Sequence, residues 1–285
     1  MKILISTFTS TLILIVNIST AHTASSHTCG KDIAGGVEYR WCIDRPLVGN
    51  NDVLYYLHGG GGNETSWTTA TDNLEIQKEW DFSHSKSPTV ITVSFGASWL
   101  LTEVAKPDNP ALFPIFTDDI MSHLESKLGT PVGKRLLKGE SMGGFNASQL
   151  WLKKPNSFSR VALVCPGIST IGPYSSKMAI AEFLDRNKLY IDLARVNELL
   201  EWTKWEFPTV QSWVDHDPLA LIQNGAKRSA ELYVSCGEQD EYGFFEGAGK
   251  FSDLASVTGA NVKWDPMAGG HCVSNAKAIA DFLSR

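Results

Sequence analysis

Short apolar runs that alternate with segments of helical spacing constrain the fold of this 285-residue chain most strongly. Several runs are almost continuously apolar, which is typical of strands buried on both faces of a parallel sheet. The predicted strands lie at residues 37–43, 52–58, 88–95, 135–140, 160–165, 230–236 and 261–266. The predicted helices lie at residues 68–79, 113–129, 142–153, 244–259 and 274–284. The alternation predicts one α/β domain with a mostly parallel central sheet and helices on both faces.

One interval between predicted strands is too long for a simple crossover. It runs from Cys165 to the strand that starts near Glu231, and it contains a stretch of helical apolar spacing. An ordered insertion of this length in an α/β domain is typical of a lid or a specificity element. We predict a helical lid at about residues 170–217. The alternative is that these helices only extend the core.

The first residues have the pattern of a secretory signal peptide. Lys2 is the only residue with a formal charge before residue 31, an apolar stretch follows it, and small residues end the segment. We predict a signal peptide at residues 1–24, cleaved after Ala21 or Ala24, and one domain at residues 25–285. The alternative is an uncleaved membrane anchor, but Ser, Thr and Asn interrupt the apolar stretch. The prediction places the mature protein outside the cell or in a periplasm, without stable membrane association.

Ser141 lies in the run Gly139-Glu140-Ser141-Met142-Gly143, between a predicted strand and a predicted helix. Glycine weakens both kinds of element, so its presence here needs another reason. A sharp strand-to-helix turn provides one, because larger side chains would collide there. Such a turn exposes the serine hydroxyl at the carboxyl edge of the sheet, where ligands bind in α/β folds. We therefore predict that Ser141 is a nucleophile.

A serine hydroxyl needs a base, and an imidazole needs an orienting acid. His271 follows the last predicted strand and precedes the final helix, so its loop can reach the same sheet edge. The strand before it is followed by Glu238, Asp240 and Glu241. We choose Asp240 as the acid and keep Glu241 and Glu238 as alternatives. The chain order of nucleophile, acid and histidine agrees with this architecture.

The glycine run at residues 59–62 follows an early predicted strand in "YYLHGGGGNETSW". Glycines let backbone N–H groups approach a ligand closely, as an oxyanion requires. The N–H of Met142, directly after the nucleophile, is the expected second donor. A phosphate site is not indicated, because neither G-x-x-x-x-G-K-[ST] nor a suitable G-x-G-x-x-G occurs.

Together these motifs resemble the α/β-hydrolase superfamily. On an α/β-hydrolase fold we predict that the helical lid of this chain lies between the sixth and seventh strands. Within it the chain resembles the putative-esterase group, which holds esterase D, bacterial feruloyl and acetyl-xylan esterases and the mycolyltransferases. The motifs that carry the resemblance are "LHGGGGNETSW", "SFGASWLL", "GESMGG", "CGEQDEYGFFEGA" and "GGHC". The resemblance covers about residues 37–285.

The resemblance implies roles for the residues that match its motifs. Ser141 is then the nucleophile, His271 the general base and later acid, and Asp240 its partner. Gly60 and Met142 give the oxyanion N–H groups, and Gly61 is the alternative to Gly60. Trp99 lies in a loop that borders the acyl pocket in such enzymes, and the alternative is a core tryptophan.

If the protein is exported, we expect disulfide bonds among its five cysteines, with one cysteine left over. Cys29 and Cys42 flank a segment that can fold back as a hairpin and bring them together. Cys236 and Cys272 each lie close to a candidate catalytic residue, and we predict that they pair, which leaves Cys165 as a buried thiol. Spacing alone does not determine the connectivity. No spacing resembles a zinc site.

These observations predict an exported serine carboxylesterase that needs neither a metal nor a cofactor. The substrate class is a small-molecule or carbohydrate-linked ester, and phenolic acyl groups are included. A net charge of −6 and a pI near 5.7 give no sign of a nucleic-acid partner. The alternatives are an acyltransferase of the mycolyltransferase type and a non-catalytic binding protein on the same fold.

Overall fold

The computed structural model describes residues 26–106, 110–223, 225 and 230–285. The predicted signal peptide at residues 1–24 lies outside the described residues. The described strands are β1 (Ser26–Ala34), β2 (Val37–Arg45), β3 (Gly49–Leu57), β4 (Ser87–Ser94), β5 (Arg135–Glu140), β6 (Arg160–Val164), β7 (Glu231–Gly237) and β8 (Asn261–Met267).

These strands form one sheet in the order β1-β2-β4-β3-β5-β6-β7-β8. The pairs β1–β2 and β2–β4 are antiparallel, and the other five pairs are parallel. Strand β6 is buried along its whole length and β5 is buried except at its two ends, because helices cover both faces of the sheet. The predicted α/β fold with a mostly parallel sheet is therefore confirmed.

The helices are α1 (Ser66–Thr69), α2 (Thr71–Ser83), α3 (Leu112–Pro114), α4 (Met121–Ser126), α5 (Met142–Lys153), α6 (Lys177–Asn187), α7 (Leu193–Glu206), α8 (Val210–Val214), α9 (Pro218–Gln223), α10 (Phe244–Val257) and α11 (Ala276–Ser284). A π-helical segment, Ile115–Ile120, joins α3 to α4. The helix predicted at residues 113–129 is therefore interrupted by a wider turn. None of the helices in the described ranges has the length and hydropathy needed to cross a membrane.

Two neighbouring residues of β5 show that α2 and α5 cover opposite faces of the sheet. The Lys138 side chain reaches Asn73 of α2, at 2.9 Å. A Cβ atom on Gly139 would lie 2.8 Å from the Cβ of Ala147 in α5. Successive strand residues point to opposite faces, so the turn that holds Ser141 lies between two helical layers.

Strand β1 was not among the predicted strands. Its sequence "SHTCGKDIA" is polar, and its side chains are mostly exposed, so it carries no buried alternation. It pairs with β2 in a hairpin that places Cys29 directly opposite Cys42, and the two form a disulfide. The predicted pairing of these two cysteines agrees with this geometry.

Helices α6 to α9 lie between β6 and β7, at the place of the predicted insertion. Three buried residues, Ile171, Phe183 and Val196, form a hydrophobic cluster that is separate from the main core. The insertion therefore has a small core of its own. This structure gives the position of the helices, and their function as a lid remains a proposal.

Candidate active site

Ser141 occupies a strained turn between β5 and α5. Its φ of 51° and ψ of −115° lie in a region that L-residues rarely adopt. A Cβ atom on Gly139 would lie 2.1 Å from the Gly143 carbonyl oxygen, and one on Gly143 would lie 2.0 Å from the Leu57 carbonyl oxygen. Only glycine fits at either position, because strand, turn and helix meet there backbone to backbone.

The end of β6 holds the serine turn through backbone hydrogen bonds. The Ser141 N–H donates to the Val164 carbonyl at 3.0 Å, and the Gly167 N–H donates to the Ser141 carbonyl at 2.8 Å. The strain at Ser141 is thus held by its neighbours rather than relieved. The side chain stays at the carboxyl edge of the sheet, facing the loops after β7 and β8.

The structure brings Ser141, His271 and Asp240 together. His271 Nε2 lies 2.9 Å from the Ser141 Oγ, and its Nδ1 lies 2.6 Å from Asp240 Oδ2. Because the buried carboxylate accepts from Nδ1–H, Nε2 is left to accept the serine proton. This is the arrangement of a nucleophile, a base and an orienting acid.

Backbone donors fix the orientation of Asp240. Its Oδ1 accepts from the Tyr242 N–H at 2.9 Å and from the Phe244 N–H at 3.3 Å. Oδ2 is thereby aimed at the imidazole. Glu241 has a different role, because its carboxylate accepts a hydrogen bond from the backbone N–H of His271 at 2.9 Å. Glu238 is exposed, so of the three candidates it is Asp240 that contacts the ring.

Two N–H groups of the glycine loop have backbone acceptors, and that of Gly60 faces the cavity. The Gly61 N–H donates to the Ala97 carbonyl at 2.8 Å, and the Gly62 N–H donates to the Gly59 carbonyl at 3.1 Å. Among the described residues, the Gly60 N–H has no such acceptor, and Gly60 lines the cavity beside Ser141. The geometry favours Gly60 over the alternative Gly61. The Met142 N–H begins α5, where N–H groups lack intrahelical acceptors.

Trp99 lies beneath the site and not in its wall. Its side chain is 3% exposed and belongs to the main core, where its ring packs edge-on against His58 and Phe95. Among the described residues, its neighbours Ser98 and Leu100 line the cavity. The placement therefore agrees with the alternative of a core tryptophan and not with a residue that borders the acyl pocket.

A cavity of about 350 Å³ opens beside Ser141. Leu100, Met142 and Phe145 line it on the side of the sheet, while Trp202 and Trp213 line it from the insertion. Most of its wall is apolar or aromatic, which is typical of pockets that take small molecules. The cavity therefore lies between the sheet edge and helices α7 and α8.

The predicted pairing of Cys236 with Cys272 is wrong. Cys272 is bonded to Cys165, and Cys236 is a free, buried thiol. Cys165 directly follows β6, and the histidine loop folds over that strand end. Cys236 lies inside the sheet core, with its Sγ 3.7 Å from Asp240 Oδ2, and burial raises the pKa of its thiol. The disulfide ties the histidine loop to the strand end that also holds the serine turn.

A buried ion pair lies behind Ser141. Lys138 is 1% exposed and pairs with Glu140, the residue before Ser141. The Lys138 ammonium also donates to Asn73 Oδ1, and the Tyr56 hydroxyl donates to Glu140 Oε2 at 2.9 Å. All partners of this pair come from β3, β5 and α2. The side chain at position 140 is therefore fixed from below the turn.

Tyr242 and Phe244 are site residues that the sequence reasoning missed. The Tyr242 ring stacks on Phe244 at 5.3 Å and lies 4.7 Å from the His271 ring, and both aromatic residues line the cavity. Both aromatic residues stand in "CGEQDEYGFFEGA", from which the sequence predicts only acidic site residues. The spacing of aromatic residues after the candidate acid does not show whether their rings line a cavity or belong to the core.

Solved structures of esterases have the same fold. A ferulic acid esterase aligns with a TM-score of 0.59 and 18% identity, over 91% of this chain and 95% of that one. Brefeldin A esterase, a bacterial homologue of human hormone-sensitive lipase, aligns with a TM-score of 0.68 and 18% identity, over 97% and 80%. The esterase of the archaeon Pyrobaculum calidifontis gives 0.62 and 17%, over 91% and 85%. At these identities the likeness shows the fold.

Residues 45–260 match the family model described as "Putative esterase". The match spans most of the chain, from the end of β2 to the start of β8, and includes Ser141 and Asp240. His271 lies just beyond it. The chain therefore belongs to the putative esterase family and is a carboxylic ester hydrolase.

Proposed function

We propose that the protein is an exported serine carboxylesterase that forms an acyl-enzyme on Ser141. The observation that carries the proposal is the relay from Ser141 Oγ to His271 Nε2 at 2.9 Å and from Nδ1 to Asp240 at 2.6 Å. Gly60 lies beside it with a free N–H group. A nucleophile, a base, an acid and an oxyanion donor are what ester cleavage through a tetrahedral intermediate requires.

In the first half of the reaction, Ser141 Oγ attacks the ester carbonyl while His271 Nε2 takes its proton. The Gly60 and Met142 N–H groups stabilise the negative oxygen of the tetrahedral intermediate. The intermediate collapses to an acyl-enzyme, and His271 gives the proton to the departing alcohol oxygen. Water then attacks the acyl group, His271 takes its proton, and the acid leaves as Ser141 recovers its hydrogen.

The cavity supports an ester with a large apolar acyl group as substrate. Its wall holds Trp202, Trp213 and Phe145, which offer more apolar surface than an acetyl group can use. A phenolic acyl group on a small-molecule or carbohydrate alcohol satisfies this requirement. The insertion that carries both tryptophans would then act as a specificity element or lid over the acyl group.

Export is supported by the sequence pattern at residues 1–24 and by the two disulfides. Disulfides persist in oxidising compartments and are rare in the cytosol. The mature enzyme would then act outside the cell or in a periplasm, on an ester substrate present there.

The test is hydrolysis of p-nitrophenyl esters from acetyl to decanoyl. We expect Ser141→Ala to lower kcat by at least about 10⁴-fold, and Asp240→Asn by a similar factor, because the imidazole loses its acceptor. Glu238→Gln is the matched acid control and should keep full activity. Hydrolysis that persists in Ser141→Ala would refute the acyl-enzyme. Transfer of the acyl group to added sugar or lipid hydroxyls in preference to water would identify an acyltransferase.

A further inference from the structure

A buried histidine that takes no part in the proposed relay lies under the glycine loop. His58 is 0% exposed, and both of its ring nitrogens have partners. Nδ1 lies 2.8 Å from the Gly59 carbonyl oxygen, while Nε2 lies 2.9 Å from Ser94 Oγ and 3.1 Å from the Trp99 indole nitrogen. The chemistry of these partners determines where the imidazole carries its proton.

An indole N–H is a donor only, so the Trp99 side chain requires an acceptor. His58 Nε2 must therefore carry a lone pair, and the single proton of a neutral ring lies on Nδ1. A ring that accepts at Nε2 is not doubly protonated and is therefore neutral. Burial acts in the same direction, because it lowers the pKa of His58. The Ser94 hydroxyl is compatible with this state, because it can donate to Nε2 or to the Gly96 carbonyl at 3.1 Å. Nδ1–H then donates to the Gly59 carbonyl.

The Gly59 carbonyl and the Gly60 N–H belong to one peptide unit. In a trans peptide these two groups point in opposite directions. No cis peptide occurs in the described residues, and the Gly59 oxygen is held on its side by His58 Nδ1–H and by the Gly62 N–H. Holding the carbonyl in this way directs the Gly60 N–H away from it, toward the cavity beside Ser141.

We propose that Trp99 is a positioning residue that keeps His58 in the Nδ1–H tautomer and thereby aims the Gly60 N–H at the oxyanion. The inference rests on the proposed function, in which Gly60 is an oxyanion donor. It gives a role to a residue that the sequence places near the acyl pocket and the structure places under the loop. The opposite tautomer would set two lone pairs, on Nδ1 and the Gly59 oxygen, against each other.

The first measurement reads the protonation of the imidazole directly in the wild-type protein. Long-range ¹H–¹⁵N correlation spectra of protein labelled with ¹⁵N-histidine report the proton on each ring nitrogen. The His58 signals, identified by their loss in His58→Asn, should show a protonated Nδ1 and an unprotonated Nε2 from about pH 6 to pH 9. A protonated Nε2, in either the neutral or the charged ring, would overturn the proposal.

The second measurement compares two tryptophan variants. Trp99→Phe keeps a ring against His58 but removes the indole N–H, and we expect kcat to fall about tenfold with KM within about twofold. Trp80→Phe is the matched control, since its buried indole N–H donates to the Ala280 carbonyl at 3.0 Å, between α2 and α11. It should lose stability but keep kcat. Equal kcat in Trp99→Phe and wild type, or equal losses in both variants, would contradict the proposal.

These outcomes separate the inference from the proposed function. Activity that survives in Ser141→Ala refutes the acyl-enzyme, whatever the tautomer of His58. If Ser141→Ala is inactive while Trp99→Phe is unaffected, the esterase mechanism stands and the role of Trp99 is refuted. Should Trp99→Phe fail to fold, the wild-type spectrum still decides the tautomer.

Discussion

The cavity has two walls that are built in different ways. On the sheet side, Ser141, Asp240 and His271 follow β5, β7 and β8 closely, and backbone hydrogen bonds hold each of their loops. The opposite wall comes from the insertion, which packs partly on its own small cluster of Ile171, Phe183 and Val196. We therefore expect the chemistry to depend on the sheet edge and the selection of the substrate to depend on the insertion.

The two walls are joined at the acid loop. The Asp192 N–H, at the start of α7, donates to the Glu241 carbonyl at 2.8 Å. Arg195 donates to the Tyr242 hydroxyl at 3.1 Å, and Tyr242 in turn contacts the His271 imidazole. The insertion therefore rests on residues next to Asp240. Variants of each wall should show how independent the two are.

The largest effect is expected from the disulfide on the sheet side. Replacing Cys165 and Cys272 with alanine frees the histidine loop from the end of β6, and we expect kcat to fall about tenfold or more. The bond also closes a separation of 107 residues, so unfolding should become easier by about 2–4 kcal/mol. Ester hydrolysis and thermal unfolding measure the two losses.

The hairpin disulfide is the control for this variant. Cys29 and Cys42 lie on β1 and β2, at the far edge of the sheet, and are separated by 13 residues. Replacing both with alanine should lower stability and leave kcat unchanged. An equal loss of kcat in both double variants would show that Cys165–Cys272 acts only through global stability.

An intermediate effect is expected on the insertion side. Trp202 of α7 lines the cavity, and Trp202→Ala removes apolar contact with the acyl group. We expect KM for long-chain p-nitrophenyl esters to rise up to about tenfold, with kcat nearly unchanged, because the lost contact is uniform binding. Trp205→Ala, three residues further along the same helix and exposed, should change neither constant. A large fall in kcat in Trp202→Ala would mean that the two walls are not independent.

The smallest effect concerns the acid stability of a contact between the walls. Glu103 Oε2 lies 3.1 Å from His216 Nε2, between α8 and α9 of the insertion, and the Glu103 carboxylate accepts from the Lys153 ammonium of α5. Two contacts lower the pKa of Glu103 from 4.5 to about 2. The contact with His216 has the larger effect, and the contact with Lys153 has the smaller one. Since the folded-state pKa is lower, the stabilisation is present above pH 4.5 and is lost as the pH falls toward 2.

Glu103→Gln should therefore flatten the dependence of unfolding free energy on pH between about 2 and 4.5. Chemical denaturation at several pH values measures it. Glu38→Gln, an exposed acid on the distant hairpin, is the control for the change in net charge. A slope equal to that of wild type in Glu103→Gln would contradict the assignment. Half-exposure of Glu103 keeps the expected change small.

Local sequence was enough to predict the sheet edge and the residues that lie on it. Gly139 and Gly143 imply a backbone contact that only a sharp turn makes, and His271 stands at a fixed place after the last strand. Contacts between distant segments were not predictable in the same way. Whether Cys272 bonds to Cys165 or to Cys236 depends on how one loop folds over two adjacent strand ends. The spacing of cysteines along the chain does not predict that fold.

The sequence also did not predict the direction in which single loop side chains point. Trp99 and its neighbours Ser98 and Leu100 share one irregular loop, and only the latter two face the cavity. A loop has no periodicity from which to assign a face. Strand β1 was not predicted for another reason. It lies at the edge of the sheet and is mostly polar on both faces, so it lacks the apolar pattern of a buried strand.

The buried ion pair of Lys138 and Glu140 beneath Ser141 limits which substitutions this sequence can accept. Changing Lys138 or Glu140 alone leaves the other charge without its partner in the interior, at a cost of about 3–5 kcal/mol. That is a large share of the 5–15 kcal/mol or so that separates folded from unfolded domains. Neutral evolution at these two positions therefore has to pass through paired substitutions. We therefore expect Glu140, the residue before Ser141, to change only together with Lys138, whatever ester the enzyme cleaves.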